Sequence, residues 1–490
     1  MATNDEETPL LASAAELSHE AVYARFTPAQ KRMISGLVSC SALIPLFAGA
    51  SFIPSIPDIA EDLDTTPKVV SLAVSISIFS SAIGSMVFAT YSTFYGRRPV
   101  YLFGLPLLCV GSLGVGTATR VPELMFWRLI QAFGSSGGMS VGGGVIADLY
   151  KLTERGTAMG IFLAAALLGN ALAPVIGGWV AHYASWRYLQ LALFAFGGLL
   201  TVAMALYLPE TSHPGTTGLE KLASAERSKA GAVGGAETDS DSVDEPDNER
   251  VRFRWVWLNP FASLWVLRSP NLALVTFSSA AALVTEFGLQ VPMATTIGVR
   301  YGITNEALIG ACFIPMGLGN ILGAPLAGWL SDRAVIKWKA KRAGVWVPED
   351  RLRGSSALGA GLLVPLSILA SGAITTWVPG TVGLVLNLAC FFVNGVGVDL
   401  VLSPGSSYSV DVLHSRSAEV MAASAGVRSM FLAAVVAGIL PSIERYGVLG
   451  TDAIAAGIAW TGFLAIWLVI QYGDRMRAWL DIGYSTQENN

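Results

Sequence analysis

Apolar residues in this chain gather in long unbroken runs, not in short stretches alternating with polar residues. Runs occur near 33–56, 69–90, 99–118, 123–147, 157–181 and 186–207, and again near 271–293, 305–330, 356–375, 378–403, 419–441 and 449–472. A helix crossing a bilayer needs about 20 predominantly apolar residues, so each run is long enough to span. The pattern predicts an all-α membrane protein with twelve transmembrane helices. A polar break at about 209–270 divides them six and six, which predicts two pseudo-symmetric six-helix bundles.

Composition agrees with the pattern. Of the 490 residues, 53% are hydrophobic and only 13% are charged, against about 25% charged in ordinary soluble domains. That excludes a water-soluble enzyme, and disorder over most of the length. The 52 glycines and 13 tryptophans suit close helix packing and interfacial anchoring. Cys40, Cys109, Cys312 and Cys390 lie inside apolar runs without metal-ligand spacing, so they are expected to be packing residues.

Charge changes the picture through its placement, since the formal net charge is only −4. With both ends placed in the cytosol, the cytosolic segments hold 24 of the 31 Lys and Arg residues, and the opposite side holds Lys68, Arg120, Arg187, Arg300 and Arg445. Leaving out the long break still gives 17 against these five, so the positive-inside rule predicts cytosolic termini. The chain is expected to divide into a tail at 1–30, a bundle at 31–208, a linker at 209–270, a bundle at 271–473 and a tail at 474–490. The polar, acidic first 30 residues predict no cleaved signal peptide. Residues 212–250, rich in Gly, Ala, Ser and charge, predict disorder. The alternating basic and aromatic residues from Arg252 to Trp257 suit a segment resting on the membrane surface.

Several short motifs occur in order. Gly96-Arg97-Arg98-Pro99 forms a basic turn before the third span. Arg128-Leu-Ile-Gln131-Ala-Phe-Gly134 opens the fourth, which closes on Asp148, expected to be a helix-end residue and not a ligand. Gly169-Asn-Ala-Leu-Ala-Pro174-Val-Ile-Gly177-Gly178 lies in the fifth, Trp186-Arg187 starts the sixth, and Leu208-Pro209-Glu210-Thr211 ends it. Gly328-Trp-Leu-Ser-Asp332-Arg333 stands at the corresponding turn of the second half. Together these resemble the major facilitator superfamily, and within it the fungal twelve-span drug:proton antiporters. The resemblance covers nearly the whole chain outside the tails and linker.

It implies a twelve-span transporter working by alternating access. It also implies a hinge and seal at Gly169, Pro174, Gly177 and Gly178, although small residues there also permit plain helix packing, and Pro174 removes a backbone donor. The turn at Gly96, Arg97 and Arg98 departs from the family's Gly-x-x-x-Asp-Arg-x-Gly-Arg-Arg, because Thr93 and Phe94 stand where the charged pair belongs. Thr93 retains the ability to cap a helix but not to form an ion pair. Asp332 and Arg333 are retained, which shifts the expected cytosolic latch toward the second half. Ser403-Pro404-Gly405 through Asp411, followed by Ser415 to Glu419, resembles the turn between spans ten and eleven of related exporters, expected to be a cytosolic gate.

Charges inside spans are costly and mark functional candidates. Four stand out: Arg128, Glu286, Asp399 and Arg428. They are balanced two against two, so mutual pairing is one expectation. The resemblance makes Arg128 a proton-coupling residue, with Gln131 one turn away. Related transporters often carry an acid in the first span, whereas here Met33 to Pro57 has none, and Asp58 and Glu61 lie at its outer end. Glu286 and Asp399 are therefore expected to carry protons. Asn170, Gln290, Asn387, Asn394, Phe47 and Phe287 are expected to line the cavity.

Catalytic, metal-binding and nucleic-acid-binding patterns do not appear, and no cofactor is expected. The expected partners are a small-molecule substrate, protons and the lipid bilayer, with the protein acting as a monomer. The substrate is either a drug or a small organic acid such as itaconate, exported at the plasma membrane. A proton-independent uniporter and a non-transporting receptor or scaffold on the same fold are the alternatives. Glu6-Glu-Thr-Pro-Leu10-Leu11 resembles an acidic dileucine signal, which makes the vacuolar membrane the competing location.

Overall fold

The computed structural model describes residues 23, 25–150, 152–213, 217–233, 255–413 and 417–479. Among these the regular structure is helical throughout. Ten helical stretches are long and apolar enough to cross a membrane. The last of them, Glu419–Trp479, turns at Gly447 (φ 73°), a left-handed backbone that favours glycine, and so provides two spans. The fourth span falls short as a single helix because it breaks at Ser136 into Val121–Ser135 and Gly137–Leu149. Counting these gives twelve.

Local chemistry explains where the helices begin. Thr27 and Gln30 form a reciprocal capping box at the first span (Pro28–Ala50), with the Thr27 N–H donating to Gln30 Oε1 at 2.9 Å. Such a box satisfies two backbone donors that a helix start otherwise leaves unpaired. The second (Pro67–Tyr95) and third (Arg97–Thr117) spans are joined by Gly96 alone, at φ 98°. The Glu210 carboxylate accepts from the backbone N–H of Arg97 at 2.9 Å and of Arg98 at 3.1 Å. A negative charge at a helix N-terminus is favourable, and Glu210 occupies the space that a side chain at residue 96 would need. The fifth and sixth spans are Leu152–Tyr183 and Trp186–Tyr207.

In the second half, Pro270–Pro292 continues through a π-helical turn at Met293–Ile297. Glu306–Ala311 and Ile314–Lys341 form the eighth span, and Ser355–Trp377 the ninth. The tenth runs without a break from Gly380 to Val412. Residues 403–411 are therefore helical, and the expected turn there is corrected to begin at Leu413. Pro404 is accommodated because the missing donor costs one bond in a helix packed on several sides.

Between the halves, Gly218–Val233 forms a helix within the stretch whose composition predicted disorder. Thr217 and Glu220 cap it reciprocally, with the Thr217 hydroxyl donating to Glu220 Oε2 at 2.8 Å. The acidic run at 237–249 and Arg252 and Arg254 lie outside the described residues. Of the basic-aromatic segment, Trp255 stacks near Tyr91 and Tyr95 at the end of the second span. The Val256 N–H donates to the Tyr95 hydroxyl at 2.7 Å. Trp257 remains exposed.

The buried apolar residues form three clusters. One joins both halves at the end of the molecule away from the termini, from Phe52, Val70 and Trp186 to Leu289, Phe313 and Leu440. At the end bearing the termini the halves keep separate cores, one around Val38, Leu105 and Phe162, the other around Val275, Val398 and Tyr408. Large apolar side chains such as Phe103, Trp179, Leu199 and Val382 point outward, as expected of a surface facing lipid.

Candidate functional site

Arg128 is only 1% exposed. Its Nη1 donates to the Ala48 carbonyl at 3.2 Å and to Gln131 Oε1 at 2.9 Å, and its guanidinium lies over the Phe52 ring at 4.3 Å. The Gln131 amide nitrogen donates in turn to Ser112 Oγ and Gln190 Oε1, both at 2.9 Å. A polar chain thus links the first, third, fourth and sixth spans. Nε and Nη2 of Arg128 have no hydrogen-bond partner, and no carboxylate pairs with it among the described residues. A buried guanidinium cannot shed its charge.

The second half holds the acids. Glu286 Oε1 accepts from Gln290 and Asn320, each at 3.2 Å. Asp399 on the tenth span packs against Gly323 on the eighth and lies close enough to Glu286 for the two carboxylates to repel. One Asp399 oxygen and the Arg428 Nε are buried without partners. The expectation that the four charges pair with one another is corrected: neither arginine forms an ion pair with either acid among the described residues. A further charge buried within a span was missed. Asp452, 2% exposed at the start of the twelfth span, packs against Gly372 with one unpartnered oxygen. It lies next to Thr451 in a run that reads as a helix end, so nothing in the sequence separated it from an interfacial acid.

Other expected cavity residues divide. Gln290 stays with Glu286 and also contacts the Met316 sulfur at 3.1 Å. Asn170, Phe47 and Phe287 are half-buried. Asn394 donates to Thr285 Oγ1 and Ser367 Oγ, both at 3.0 Å, tying the seventh, ninth and tenth spans. Asn387 is held by Ser371 at 2.6 Å and Tyr301 at 2.9 Å. Both asparagines bond helix to helix, Asn394 through its nitrogen alone, its oxygen being buried without a partner.

The glycines of the fifth span serve two neighbours. Gly169 and Gly177 lie against the backbone of the first span at Leu43 and Ser51. Gly178 lies against the Glu306 carbonyl, and Gly310 against the Pro174 carbonyl. The fifth and eighth spans therefore meet backbone to backbone across the seam between halves, at the end away from the termini.

At the terminus-bearing end, Arg97 Nε donates to Asp148 at 3.0 Å and its Nη1 to Ser92 at 2.9 Å, while Arg98 reaches the Ala205 carbonyl at 2.8 Å. Thr93 does not cap the helix. Its hydroxyl donates back to the Ala89 carbonyl at 3.1 Å, and Gly96 provides the cap. In the second half Asp332 accepts from Arg351 at 3.2 Å, and Arg351 also pairs with Asp411. Arg333 stacks over Trp329 at 3.7 Å.

The sequence model of the Major Facilitator Superfamily matches residues 38–441. The chain belongs to this superfamily. It is 29% identical over 441 residues to the efflux pump radE of Floropilus chiversii, covering 89% of this chain and 79% of that protein. It is 26% identical over 310 residues to Citrate exporter 1 of Aspergillus niger, covering 63% of this chain and 58% of the other. A crystal structure of the peptide transporter POT in complex with sulfate shares the fold, with a TM-score of 0.63 at 15% identity over 92% of this chain and 96% of that one. The protein is a multi-pass membrane transporter of this superfamily, and the two fungal relatives are named as an efflux pump and a citrate exporter.

Proposed function

We propose that this transporter exports a small organic anion by alternating access in exchange for protons, acting as a monomer in the plasma membrane with its termini in the cytosol. The observation that carries the reading is Arg128: a buried, permanently charged side chain with two unpartnered nitrogens. Leaving such a charge uncompensated is expensive, and a substrate carboxylate supplies what the site lacks. Arg428, with its own unpartnered nitrogen, is the second anchor. Glu286 and Asp399 are the proton carriers, since two close carboxylates ionise together only at a cost. The named citrate exporter among the relatives favours an organic acid, and the count of basic residues favours the orientation.

A second reading rests on the Glu286–Asp399 pair itself, which suits an amphipathic cationic drug and fits the efflux pump among the relatives. Proteoliposomes carrying a pH gradient separate the two readings, with labelled citrate, labelled itaconate and a cationic dye as substrates. Anion movement that falls about 100-fold or more in Arg128→Ala, with Glu286→Gln losing the pH drive but keeping anion exchange, supports the proposal. Dye movement lost in Glu286→Gln but not in Arg128→Ala replaces it with the drug reading. If neither anions nor dye move in the wild type, both readings fail.

A further inference from the structure

A polar cluster unconnected to the buried carboxylates crosses the seam at the end away from the termini. Asp58 lies on the short helix Ile56–Asp62 that follows the first span. His182 ends the fifth span, and Asn305 and Glu306 start the eighth. The first two belong to one half and the last two to the other. The Asn305 side-chain oxygen accepts from the backbone N–H groups of Ala307 at 2.9 Å and Leu308 at 3.2 Å. That fixes the amide, so its nitrogen faces His182 Nε2 at 3.0 Å. Nε2 must accept, and therefore Nδ1 carries the hydrogen and donates to Glu306 Oε2 at 2.8 Å. The imidazole is held as one neutral tautomer. The Glu306 carboxyl then meets the Asp58 carboxyl within hydrogen-bond reach, and two carboxylates form such a bond only with a proton between them.

The geometry points to a proton-binding latch on this seam: Asp58 keeps its proton and donates it to the Glu306 carboxylate across the two halves when this end is closed, and releases it when the end opens. The latch rests on the alternating-access reading but on no particular substrate. The surrounding charges leave the pair uncompensated. On the short helix, Asp62 is engaged by Arg187 and by the Trp186 indole, while Glu61 adds negative charge. On the fifth span the facing group is the neutral His182. Lys68 of the second span is turned away, paired with Glu444 of the eleventh. The close backbone contacts Gly178–Glu306 and Gly310–Pro174 hold Glu306 and the start of the eighth span against the fifth.

Burial, then the nearby Glu306 charge and the hydrogen bond with it, raise the Asp58 pKa from 3.8 to about 7. Opening the end to water returns it toward its ordinary value. The closed end then binds the proton more tightly, so closure is favoured in acid. This advantage is complete below about pH 4, is lost as pH rises toward about 7, and is level above that. An acidic medium on that side would thus favour the state of an exporter that loads substrate from the cytosol, with the proton returned to the same side when the end reopens.

Hydrogen exchange on the full-length protein in lipid nanodiscs tests the latch without requiring transport. Corrected for the intrinsic pH dependence, exchange in the segments around Asp58 and Glu306 should rise about 70-fold from about pH 5 to about pH 7.5 in the wild type, as a shift from 3.8 to about 7 requires. Segments around Gly96 should not share the rise. Asp58→Asn and Glu306→Gln should each flatten it, and His182→Gln should retain it. A wild type without the rise overturns the latch, as does a rise kept in both acid variants or abolished by His182→Gln alone. Export can fail while the latch stands, and the latch can fail while export stands.

Discussion

The two ends of this transporter are held by different physics. Away from the termini, one apolar core runs through both halves, from Phe52 and Trp186 to Phe313 and Leu440. Backbone meets backbone there at Gly178 and Gly310. At the terminus-bearing end each half keeps its own core, and the polar contacts are mainly internal to a half: Arg97 with Asp148, Glu210 with the start of the third span, Arg351 with Asp332 and Asp411. The exception runs through the linker, whose Val256 is bound to Tyr95. A seam closed by apolar packing and glycine contacts can separate only as a unit, whereas ends closed by capped turns move as rigid halves.

The comparison breaks most readily at Gly178. Replacing it by Leu sets a side chain against the Glu306 carbonyl, and overpacking of about 1–3 kcal/mol should shift the balance toward opening of that end by about 5- to 150-fold. Accessibility of that end to a thiol reagent, through a cysteine placed at Ser55, which is 1% exposed while the end is closed, reads the shift. Unchanged accessibility would show that the seam does not depend on this contact.

Arg97→Ala acts at the other end. It leaves the largely buried Asp148 carboxylate unpaired and should cost about 1–3 kcal/mol of stability, seen as a lower melting temperature without a change in accessibility at Ser55. Glu210→Gln retains the size of the side chain but weakens the cap on Arg97 and Arg98. A loss of about 1 kcal/mol is expected, smaller than for Arg97→Ala and again confined to melting. The smallest effect belongs to Lys68→Ala. Its pair with Glu444 bridges the halves but is exposed on both sides, so about 0.5 kcal/mol or less is at stake. A larger effect on accessibility than Gly178→Leu produces would reverse the order of importance assigned to packing and charge.

Much of this was legible along the chain. The count of spans, the break between halves and the Gly96 turn follow from apolar run length and from glycine's backbone freedom, both local properties. Arg128 and Gln131 were legible because a charge within an apolar run is conspicuous, and their 2.9 Å bond follows from helical spacing. The Ser403–Asp411 segment was misread as a turn because Ser, Pro and Gly signal breaks in isolation, while packing on the seventh and eighth spans keeps the helix continuous. The helix at Gly218–Val233 was missed because weak hydrophobicity hid a Thr217–Glu220 cap that is itself a sequence signal. Asp452 and the Asp58–Glu306 contact were not legible, since each depends on a neighbour many residues away.

The sequence by itself determined that the chain crosses a membrane twelve times and that few charges are buried, because bilayer thickness and the cost of desolvation act on each segment separately. Tertiary structure alone decided that Arg128 meets no acid among the described residues while Asp399 stands close enough to Glu286 for the two to repel. It also decided that His182 is fixed as one tautomer beside two carboxyls sharing the seam. Those outcomes depend on which helices face one another, and distance across a seam is not written in the order of residues.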